Sequence, residues 1–194
     1  MYEVPLKAPL SGDDVRKLKV GDRVLLSGVI VTARDRAHRY LVEEAKPSEL
    51  PFDLAGGVIY HCGPIIRKRR DGTFELIAAG PTTSARMNRY VPALLRTLGV
   101  RAVIGKGGMD KGVLDACAEC GAVYLSAVGG AAQVLARAVQ QVEYGFKAEE
   151  FGAPEGMWVL LVKDFPAVVT MDSHGRSLHD DVRETSERRL NDIE

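Results

Sequence analysis

The chain has 194 residues, of which 46% are hydrophobic and 27% are charged, a composition typical of a globular protein with a sizeable core. Its 26 Lys and Arg residues balance its 26 Asp and Glu residues, so charge gives no reason to expect nucleic acid or an anionic membrane as the main partner. No apolar run approaches the about 18 residues of a membrane span, and the N-terminus lacks the apolar core of a signal peptide. We therefore expect one domain over residues 1–194, in a cytoplasmic protein.

The first third of the chain is predicted to be mostly β-structure. Residues 20–35 begin with a turn and continue in β-branched and aliphatic residues, which favours a long strand. Residues 51–64 contain a short apolar strand between glycines, and residues 67–79 contain an Asp-Gly pair that predicts a hairpin turn. The second strand of this hairpin leads directly into the segment 80-GPTTSARMNRY-90.

The middle of the chain changes to alternating strands and helices. Its periodicity and its glycine-bearing joints predict a helix over 90–99, a strand over 100–105, a helix over 109–120, a strand over 122–130 and a helix over 131–145. Alternation of this kind implies a parallel sheet with crossover helices. The predicted fold class is therefore α/β, with mixed β layers around a parallel portion.

The last part of the chain returns to β-structure and ends in a charged tail. In residues 156–175 two apolar runs flank the segment 163-KDFP-166, and this pattern predicts an antiparallel pair of strands. Residues 176–194 are strongly charged and are expected to form a surface helix or a frayed end.

The chain has three cysteines: Cys62, Cys117 and Cys120. A low, odd number argues against the disulfide framework of a secreted protein. Cys117 and Cys120 form a CxxC at the C-terminal end of a predicted helix, whereas a reactive CxxC lies at a helix N-terminus, where the dipole lowers the thiol pKa. We interpret all three as structural residues and predict no metal ligand in this chain.

Three glycine-bearing loops follow predicted strands, and each opens a helix: 80-GPTTS-84, 105-GKGGMD-110 and 128-VGGAAQ-133. Ligands gather at this edge of a parallel sheet, and helix N-termini attract anions. The nucleotide-binding patterns GxxxxGK[ST] and GxGxxG are not matched, so a small anion such as a carboxylate suits the loops better, with Arg86 and Lys106 beside it. The alternative is that Lys106 is solvated and Arg86 pairs with a surface acid.

A second charged cluster, 32-TARDRAHRY-40, lies where the first long strand is expected to give way to a loop. Arginine is the side chain that clamps a carboxylate bidentately, which makes Arg34 a candidate ligand. A structural ion pair between Arg34 and Asp35, with His38 as a satisfied polar residue, is the alternative. The residues by themselves thus indicate a site for a small dianion, without an evident general base, metal-ligand set or Cys/His nucleophile pair.

Five motifs occur in a fixed order along the chain: 33-ARDRAH-38, 60-YHCGP-64, 80-GPTTSARM-87, 104-IGKGGM-109 and 125-LSAVGGAA-132. Together they resemble the β subunit of two-subunit class I fumarases and L-tartrate dehydratases, and the C-terminal domain of single-chain class I fumarases. The resemblance covers about residues 21–175 and leaves the tail, 176–194, outside. It implies a swivelling β/β/α domain.

The resemblance also implies roles for particular residues. It implies that Thr82 takes or returns the proton at C3 of the substrate. The carboxylate ligands that it implies are Arg34, Arg86 and Lys106. His38 is implied as a supporting residue, and Ser84 as a supporting contact or cap.

The activity implied by the resemblance is that of a hydro-lyase that interconverts malate and fumarate. Its 4Fe–4S cluster is implied to be held by three cysteines of an α subunit, with no cluster ligand from this chain. We therefore predict a hetero-oligomer in which this chain is inactive alone. Two other interpretations stay open: a tartrate or mesaconate-type dehydratase subunit, and a non-catalytic dicarboxylate-binding module.

Overall fold

The computed structural model describes residues 3–191 and has a mixed α/β fold. Residues 1–2 and 192–194, the ends of the predicted domain and tail, lie outside the described residues. The strands are Glu3–Lys7 (β1), Arg23–Thr32 (β2), Val58–Tyr60 (β3), Ile65–Lys68 (β4), Phe74–Ala78 (β5), Ala102–Gly105 (β6), Val123–Ser126 (β7), Val139–Phe146 (β8) and Met157–Met171 (β9). The α-helices are Gly12–Arg16 (α1), Asp35–Glu43 (α2), Val91–Thr97 (α3), Lys111–Cys120 (α4), Ala132–Ala136 (α5), Ala148–Phe151 (α6) and Leu178–Asn191 (α7). Short 3₁₀ helices span Pro47–Glu49 and Ser84–Met87.

Seven strands form one sheet in the order β1-β2-β3-β6-β7-β9-β8. The pairings among the first five of these strands, β1, β2, β3, β6 and β7, are all parallel. Strand β9 is antiparallel to each of its partners, β2, β7 and β8. Because β2 also pairs with β9, the five strands β2, β3, β6, β7 and β9 form a closed ring of pairings. The parallel portion predicted for the middle of the chain is thus part of a mixed sheet that curls back on itself.

Alternate residues of the ring strands face two separate cores. One core collects side chains from every ring strand together with Val15 and Leu18, beside α1, and therefore fills the interior of the ring. The other core lies between the outer face of the sheet and the helices α2, α3 and α4. Neighbouring residues of one strand show the division, since Leu125 of β7 belongs to the first core and Tyr124 to the second.

Strand β2 bends at Gly28, where its pairing with β9 shifts register. The residue has a φ of +110°, and a Cβ atom at this position would lie 2.5 Å from the carbonyl oxygen of Ala8. Only glycine combines this left-handed conformation with so close an approach of two backbone segments.

The helix predicted over 131–145 is wrong in its second half. Helix α5 ends at Ala136, and β8 begins at Val139 and pairs with β9 as an antiparallel edge strand. The alanines of 131–138 favour a helix, but the segment that follows contains Val139, Val142 and Tyr144, which suit a half-buried strand. Tertiary pairing with β9 therefore decides the structure of a segment whose local preference is ambiguous.

The antiparallel pair predicted within 156–175 is also wrong. Residues Met157–Met171 form one strand of 15 residues, β9, without a turn at 163–166. Its irregularity is instead local: Asp164 has a φ of +52°, and its backbone N–H donates to the Ser27 hydroxyl at 3.0 Å. The polar segment that looked like a turn is the irregularity in β9 opposite Ser27, where the pairing of β2 with β9 shifts register.

Several predicted elements are confirmed. The hairpin pairs β4 with β5, α3 carries its proline in the first turn, and the predicted strands and helix between residues 100 and 126 are β6, α4 and β7. The charged tail contains the surface helix α7. Within residues 3–191, no helix combines the length and the apolar character that crossing a bilayer requires.

The cysteines have environments that suit structural residues. Cys62 and Cys117 are buried, and burial raises the pKa of each thiol to about 12. Cys120 closes α4 immediately before Gly121, and partial burial raises its pKa as well. Thiols held protonated in this way are poor nucleophiles at neutral pH.

Candidate functional site

The carboxyl ends of four adjacent parallel strands, β2, β3, β6 and β7, meet at one edge of the sheet. Arg34 follows the end of β2, His61 follows β3, and Lys106 follows β6. The strand pairing continues into these positions, because the His61 N–H donates to the Ile104 carbonyl at 2.8 Å. Three residues far apart in the sequence are therefore neighbours at the edge where parallel sheets bind ligands.

The loop 80–86 lies across this edge and is fixed to it by backbone hydrogen bonds. The Thr82 N–H donates to the His61 carbonyl at 2.7 Å, and the Lys106 N–H donates to the Thr82 carbonyl at 3.2 Å. The Ser84 N–H in turn donates to the Lys106 carbonyl at 3.1 Å. The loop thus lies between the ends of β3 and β6, and it presents Thr82 and Arg86 beside Lys106.

Beneath the loop lies a group of four buried polar side chains, which we call the polar floor: His38, His61, Ser84 and Tyr124. The two imidazoles meet with 3.1 Å between their Nε2 atoms. The His61 Nδ1 lies 2.8 Å from the Ser84 Oγ, which also accepts a hydrogen bond of 2.9 Å from the Tyr124 hydroxyl. At the other end, the His38 Nδ1 lies 2.8 Å from the carbonyl oxygen of Arg34. The floor links helix α2, the residue after β3, strand β7 and the start of the 3₁₀ helix.

Burial keeps both imidazoles of the polar floor neutral. Desolvation lowers the pKa of His38 to about 4, although its hydrogen bond to the Arg34 carbonyl raises it in part. The pKa of His61 is also well below its usual value, because of burial first and of the neighbouring His38 and Arg86 second. Burial raises the pKa of the Tyr124 hydroxyl to about 12. At neutral pH the floor therefore contains hydrogen-bonding groups but no charge.

Above the floor lie three cations, which we call the cationic rim: Arg34, Arg86 and Lys106. The Arg86 Nη2 donates to the Thr82 Oγ1 at 2.9 Å and to the Asp35 carboxylate at 3.0 Å. Both of these contacts use Nη2, which leaves the Nη1 side of the guanidinium for another acceptor. The Arg86–Asp35 pair is half-exposed, and such a pair contributes about 0–1 kcal/mol to stability.

Arg34 is held more tightly than Arg86. Its Nη2 lies 3.2 Å from the Glu155 carboxylate, and its buried Nε has no hydrogen-bond partner among the described residues. A Cβ atom on Gly63 would lie 2.6 Å from the Arg34 Nη1, so the absence of a side chain at position 63 makes room for the guanidinium. An arginine with an unsatisfied donor at the ligand-binding edge of a sheet is suited to accept an anion.

Lys106, like Arg86, is an exposed member of the cationic rim. Among residues 3–191 it has no ion-pair partner, and a Cβ atom on Gly129 would lie 3.4 Å from its Cδ. Its stem therefore passes beside the loop that follows β7. Its ammonium group is therefore available to bind an anionic ligand.

The structure thus brings together all the predicted site residues, and it corrects two details. Arg34 lies in the two-residue connection after β2, as predicted, but Asp35 and His38 do not lie in a loop, since α2 begins at Asp35 with Arg34 as its N-cap. Asp35 pairs with Arg86, whereas Arg34 pairs with Glu155. In the isolated chain Arg86 pairs with a surface acid and Lys106 is exposed to solvent, as the alternative interpretation predicted.

The expectation that helix N-termini form the anion cradle fits the structure poorly. The start of α4 is capped by its own Asp110, whose carboxylate accepts from the Val113 N–H at 3.1 Å. Helix α5 has only 5 residues, too few for a substantial dipole. The site is therefore built from side-chain cations rather than from backbone amides.

Three further residues of this edge were not predicted from the sequence: His61, Tyr124 and Glu155. A signal was available for two of them, because a histidine that ends an apolar strand and a tyrosine within a buried one each need a polar partner. Glu155 precedes β9, more than 100 residues from Arg34 in the sequence, and no local pattern predicts this pairing.

The described residues offer no ligand set for a metal or cluster. They contain no group of three or more His, Cys, Asp and Glu side chains able to hold a metal ion, and the buried thiols retain their protons. A groove of about 740 Å³ lies elsewhere, between the 47–55 segment and the end of α3, and the cationic rim does not line it. The rim is instead part of an open edge of the molecule.

Comparison with known proteins places this edge in context. Residues 1–182 match the model of the family described as Fumarase C-terminus, a match that extends beyond the 21–175 covered by the motifs. The chain is 50% identical over 187 residues to the "Putative fumarate hydratase class I" of Geobacillus stearothermophilus, covering 96% of this chain but only 35% of that relative's length.

Two further relatives are of similar length to this chain. It is 45% identical over 186 residues to the "Putative L(+)-tartrate dehydratase subunit beta" of Methanocaldococcus jannaschii, with 95% of each chain covered. It is 38% identical over 174 residues to the L(+)-tartrate dehydratase subunit beta of Escherichia coli K12, which covers 89% of this chain and 85% of the relative. The chain with its polar floor and cationic rim therefore belongs to the fumarase C-terminus family, which includes the β subunits of tartrate dehydratases.

Proposed function

We propose that this chain is the β subunit of a hydro-lyase that interconverts malate and fumarate. The observation that carries the proposal is the meeting of Thr82 and the cationic rim at one edge of the sheet. Both substrates have two carboxylates, and three cations on separate loops complement such a dianion. The name of the Geobacillus relative supports this choice of substrate.

The cationic rim would bind and stabilise the substrate carboxylates. Removal of a proton from the carbon beside a carboxylate shifts negative charge onto that carboxylate in the transition state. Arg86 has its Nη1 side available, Arg34 has an Nη2 that would exchange Glu155 for the substrate, and Lys106 has an exposed ammonium group without an ion-pair partner among residues 3–191. These donors would strengthen their hydrogen bonds as the charge develops, so they would lower the barrier as well as hold the substrate.

Thr82 would take the proton from C3 in dehydration and return it in hydration. A neutral hydroxyl is a weak base, so the side chain would have to act as the alkoxide. The Arg86 Nη2–H that donates to the Thr82 Oγ1 at 2.9 Å is placed to stabilise that alkoxide. In a closed, dry site this interaction would be stronger than on the open edge seen in the isolated chain.

The hydroxide that leaves C2 needs a Lewis acid, and the described residues of this chain do not fit that role. We propose that a 4Fe–4S cluster on an α subunit supplies it, with the open edge of the sheet facing that partner. The chains named subunit beta among the relatives support a two-subunit arrangement. This chain matches only 35% of the Geobacillus relative. The rest of that longer chain would correspond to the α subunit.

Anaerobic reconstitution tests the proposed function. This chain is mixed with a candidate α chain from the same source, with iron and sulfide, and fumarate formation from malate is followed by absorbance. We expect turnover by the complex and none by either chain alone. Turnover by this chain alone would contradict the half-site proposal. Tight fumarate binding by the isolated chain, measured by calorimetry, without turnover in any complex would favour a non-catalytic binding module.

A tartrate dehydratase subunit is the second candidate. The observation that favours it is the length match: this chain covers 95% and 85% of two tartrate dehydratase β subunits. The cationic rim recognises carboxylates, which malate, mesaconate and tartrate derivatives share, so it does not distinguish among them. Comparing kcat/KM for malate, L(+)-tartrate and the hydration of mesaconate in the same complex separates these candidates.

A further inference from the structure

The polar floor contains two residues, His61 and Tyr124, to which neither the motifs nor the proposed chemistry gives a role. Both side chains are buried and lie beneath the open edge where substrate would bind. Buried polar groups are costly unless their hydrogen bonds are complete. Their position directly beneath the loop that carries Thr82 and Arg86 suggests that they serve that loop.

We propose that His61 and Tyr124 are positioning residues. With His38 and Ser84 they form a chain of hydrogen bonds in which every donor points toward the carbonyl of Arg34. This chain fixes the segments that carry Arg34 and Arg86. This inference rests on the proposed function only for its consequence on turnover. The direction of the chain is a property of the fold and can be tested separately.

The direction follows from the end of the chain at Arg34. A backbone carbonyl can only accept, so the His38 Nδ1 that lies 2.8 Å from the Arg34 oxygen must carry the proton. In a neutral imidazole the other nitrogen is then an acceptor. The His38 Nε2 therefore accepts from the His61 Nε2–H across the 3.1 Å that separates the two atoms.

The same logic continues from His61 to the far end. With its proton on Nε2, a neutral His61 has an acceptor at Nδ1, which receives the Ser84 hydroxyl proton at 2.8 Å. The Ser84 oxygen then accepts from the Tyr124 hydroxyl at 2.9 Å. Every donor has one acceptor, and reversing any one bond would leave two donors or two acceptors facing each other. The arrangement thus has one consistent set of proton positions.

The chain connects the backbone segments that carry the proposed chemistry. It begins at the carbonyl of Arg34 and passes through Ser84, the first residue of the 3₁₀ helix that carries Arg86, to the hydroxyl of Tyr124. Between them, the His61 carbonyl accepts from the Thr82 N–H at 2.7 Å. Fixing the two imidazoles and the serine hydroxyl therefore fixes the separation of the two arginines, and a shift of about 1 Å in such groups is enough to impair turnover.

The packing around the chain leaves no space for a different arrangement. A Cβ atom on Gly105 would lie 1.8 Å from the Ser84 Oγ, 3.1 Å from the Tyr124 hydroxyl and 3.2 Å from the His61 Nδ1. The direct distances of 2.8 and 2.9 Å between the three groups leave no position for a bridging water molecule between them. The three groups must therefore satisfy one another directly.

Nitrogen NMR of the full chain, labelled with ¹⁵N-histidine, tests the direction without any partner or activity. We expect His38 as the Nδ1–H tautomer and His61 as the Nε2–H tautomer, both neutral from pH 8 down to about pH 5. His174, whose side chain is exposed, provides a reference signal in the same spectra for the two buried rings. The same tautomer on both buried rings, or protonation of either near pH 6.5, would overturn the proposal.

The consequence for turnover is tested in the reconstituted complex with Tyr124→Phe. The change removes one donor from the floor but keeps the ring, so we expect kcat/KM to fall about 3- to 10-fold and Tm to fall as well, because the buried Ser84 oxygen loses its donor. Tyr144→Phe is the matched control, because it removes a similar hydroxyl contact, 2.8 Å to the Pro51 carbonyl, from a remote part of the surface. Equal effects of the two changes on kcat/KM would overturn the positioning role. If no complex shows turnover, the proposed function fails while the tautomer test still decides the chain.

Discussion

The polar floor and the cationic rim lie on top of each other, yet they are built in opposite ways. The floor is buried and uncharged, and each of its groups has a fixed partner. The rim is charged and partly exposed, and its partners are acids such as Asp35 and Glu155 that a ligand can displace. This difference indicates separate roles: the floor holds the loops in position, and the rim cations exchange their acidic partners for substrate carboxylates. Substitutions in the rim should therefore change activity more than stability, and those in the floor should change both.

The largest effect is expected from Thr82→Val, which removes the proposed proton-transfer group and keeps the shape of the side chain. Loss of an acid–base group reduces kcat by about 100- to 10,000-fold, and the assay is initial-rate kinetics on the reconstituted complex. Thr83→Val is the matched control, since Thr83 is exposed and contacts this edge through its backbone. If the two variants lose activity equally, Thr82 has no special role.

Lys106→Ala should rank second. It removes a charge proposed to stabilise the transition state, so we expect a loss of about 2–4 kcal/mol in kcat/KM and an unchanged Tm. Lys111→Ala is the control: it removes a lysine that is also exposed, whose partner is Asp115 on its own helix. A change below about threefold for Lys106→Ala would remove this residue from the rim's proposed function.

The floor should make stability depend on pH. The pKa of His38 is lowered from 6.5 to about 4 in the folded chain, so the unfolded chain binds more protons between these values and stability falls as the pH falls through this window. The groups that face the two imidazoles are Asp35, which raises the pKa of His38, and Arg86, which lowers that of His61.

The expected loss of stability is on the order of 3 kcal/mol between pH 6.5 and pH 4. Urea unfolding at a series of pH values measures it, and His38→Gln provides the comparison curve. A wild-type curve that is flat over this window, or one that matches the His38→Gln curve, would mean that this histidine is not held neutral by the fold.

Gly105→Ala should destabilise the protein by overpacking the polar floor. The new methyl group would lie 1.8 Å from the Ser84 Oγ, and overpacking of this kind costs about 1–3 kcal/mol in the free energy of unfolding. Gly112→Ala, in α4, meets only the Asp110 carboxylate at 3.4 Å and should be neutral or stabilising by up to about 1 kcal/mol. Denaturation of both variants compares them directly, and equal stabilities would contradict the close packing described here.

The smallest effect is expected from Asp35→Asn, which frees Arg86 from its half-exposed partner. Because such pairs contribute about 0–1 kcal/mol, Tm should change little, whereas KM for the dicarboxylate should fall by up to about threefold. Steady-state kinetics on the complex provide the measurement. A rise in KM would indicate that Asp35 helps to hold Arg86 for the ligand instead of competing with it.

The rim was largely predictable from the sequence, and the floor was only partly so. Arg86 and Lys106 lie in glycine-bearing loops after strands, where residue type and position both indicate a site. His38 and Ser84 were assigned supporting roles by resemblance alone, and their partners His61 and Tyr124 were not assigned. Their contacts join segments that are 23 and 40 residues apart, and such contacts depend on strand order, which a single sequence does not determine.

The antiparallel part of the sheet was the least predictable. Strand β8 follows an alanine-rich helix without a glycine or proline at the boundary, and β9 contains a polar segment that resembles a turn. In both places the pairing of β8 with β9 and of β9 with β2 overrides the local preference. The parallel portion has no such conflict, since its glycine-bearing joints agree with the tertiary structure.

A crystal structure of the reconstituted complex with a bound dicarboxylate tests the central claim most directly. We expect the carboxylate oxygens within hydrogen-bonding distance of Arg34, Arg86 and Lys106. The Thr82 hydroxyl should face C3, and the polar floor should be unchanged beneath them. A dicarboxylate bound away from this edge, with none of the three cations in contact with it, would show that the cationic rim is not the substrate site.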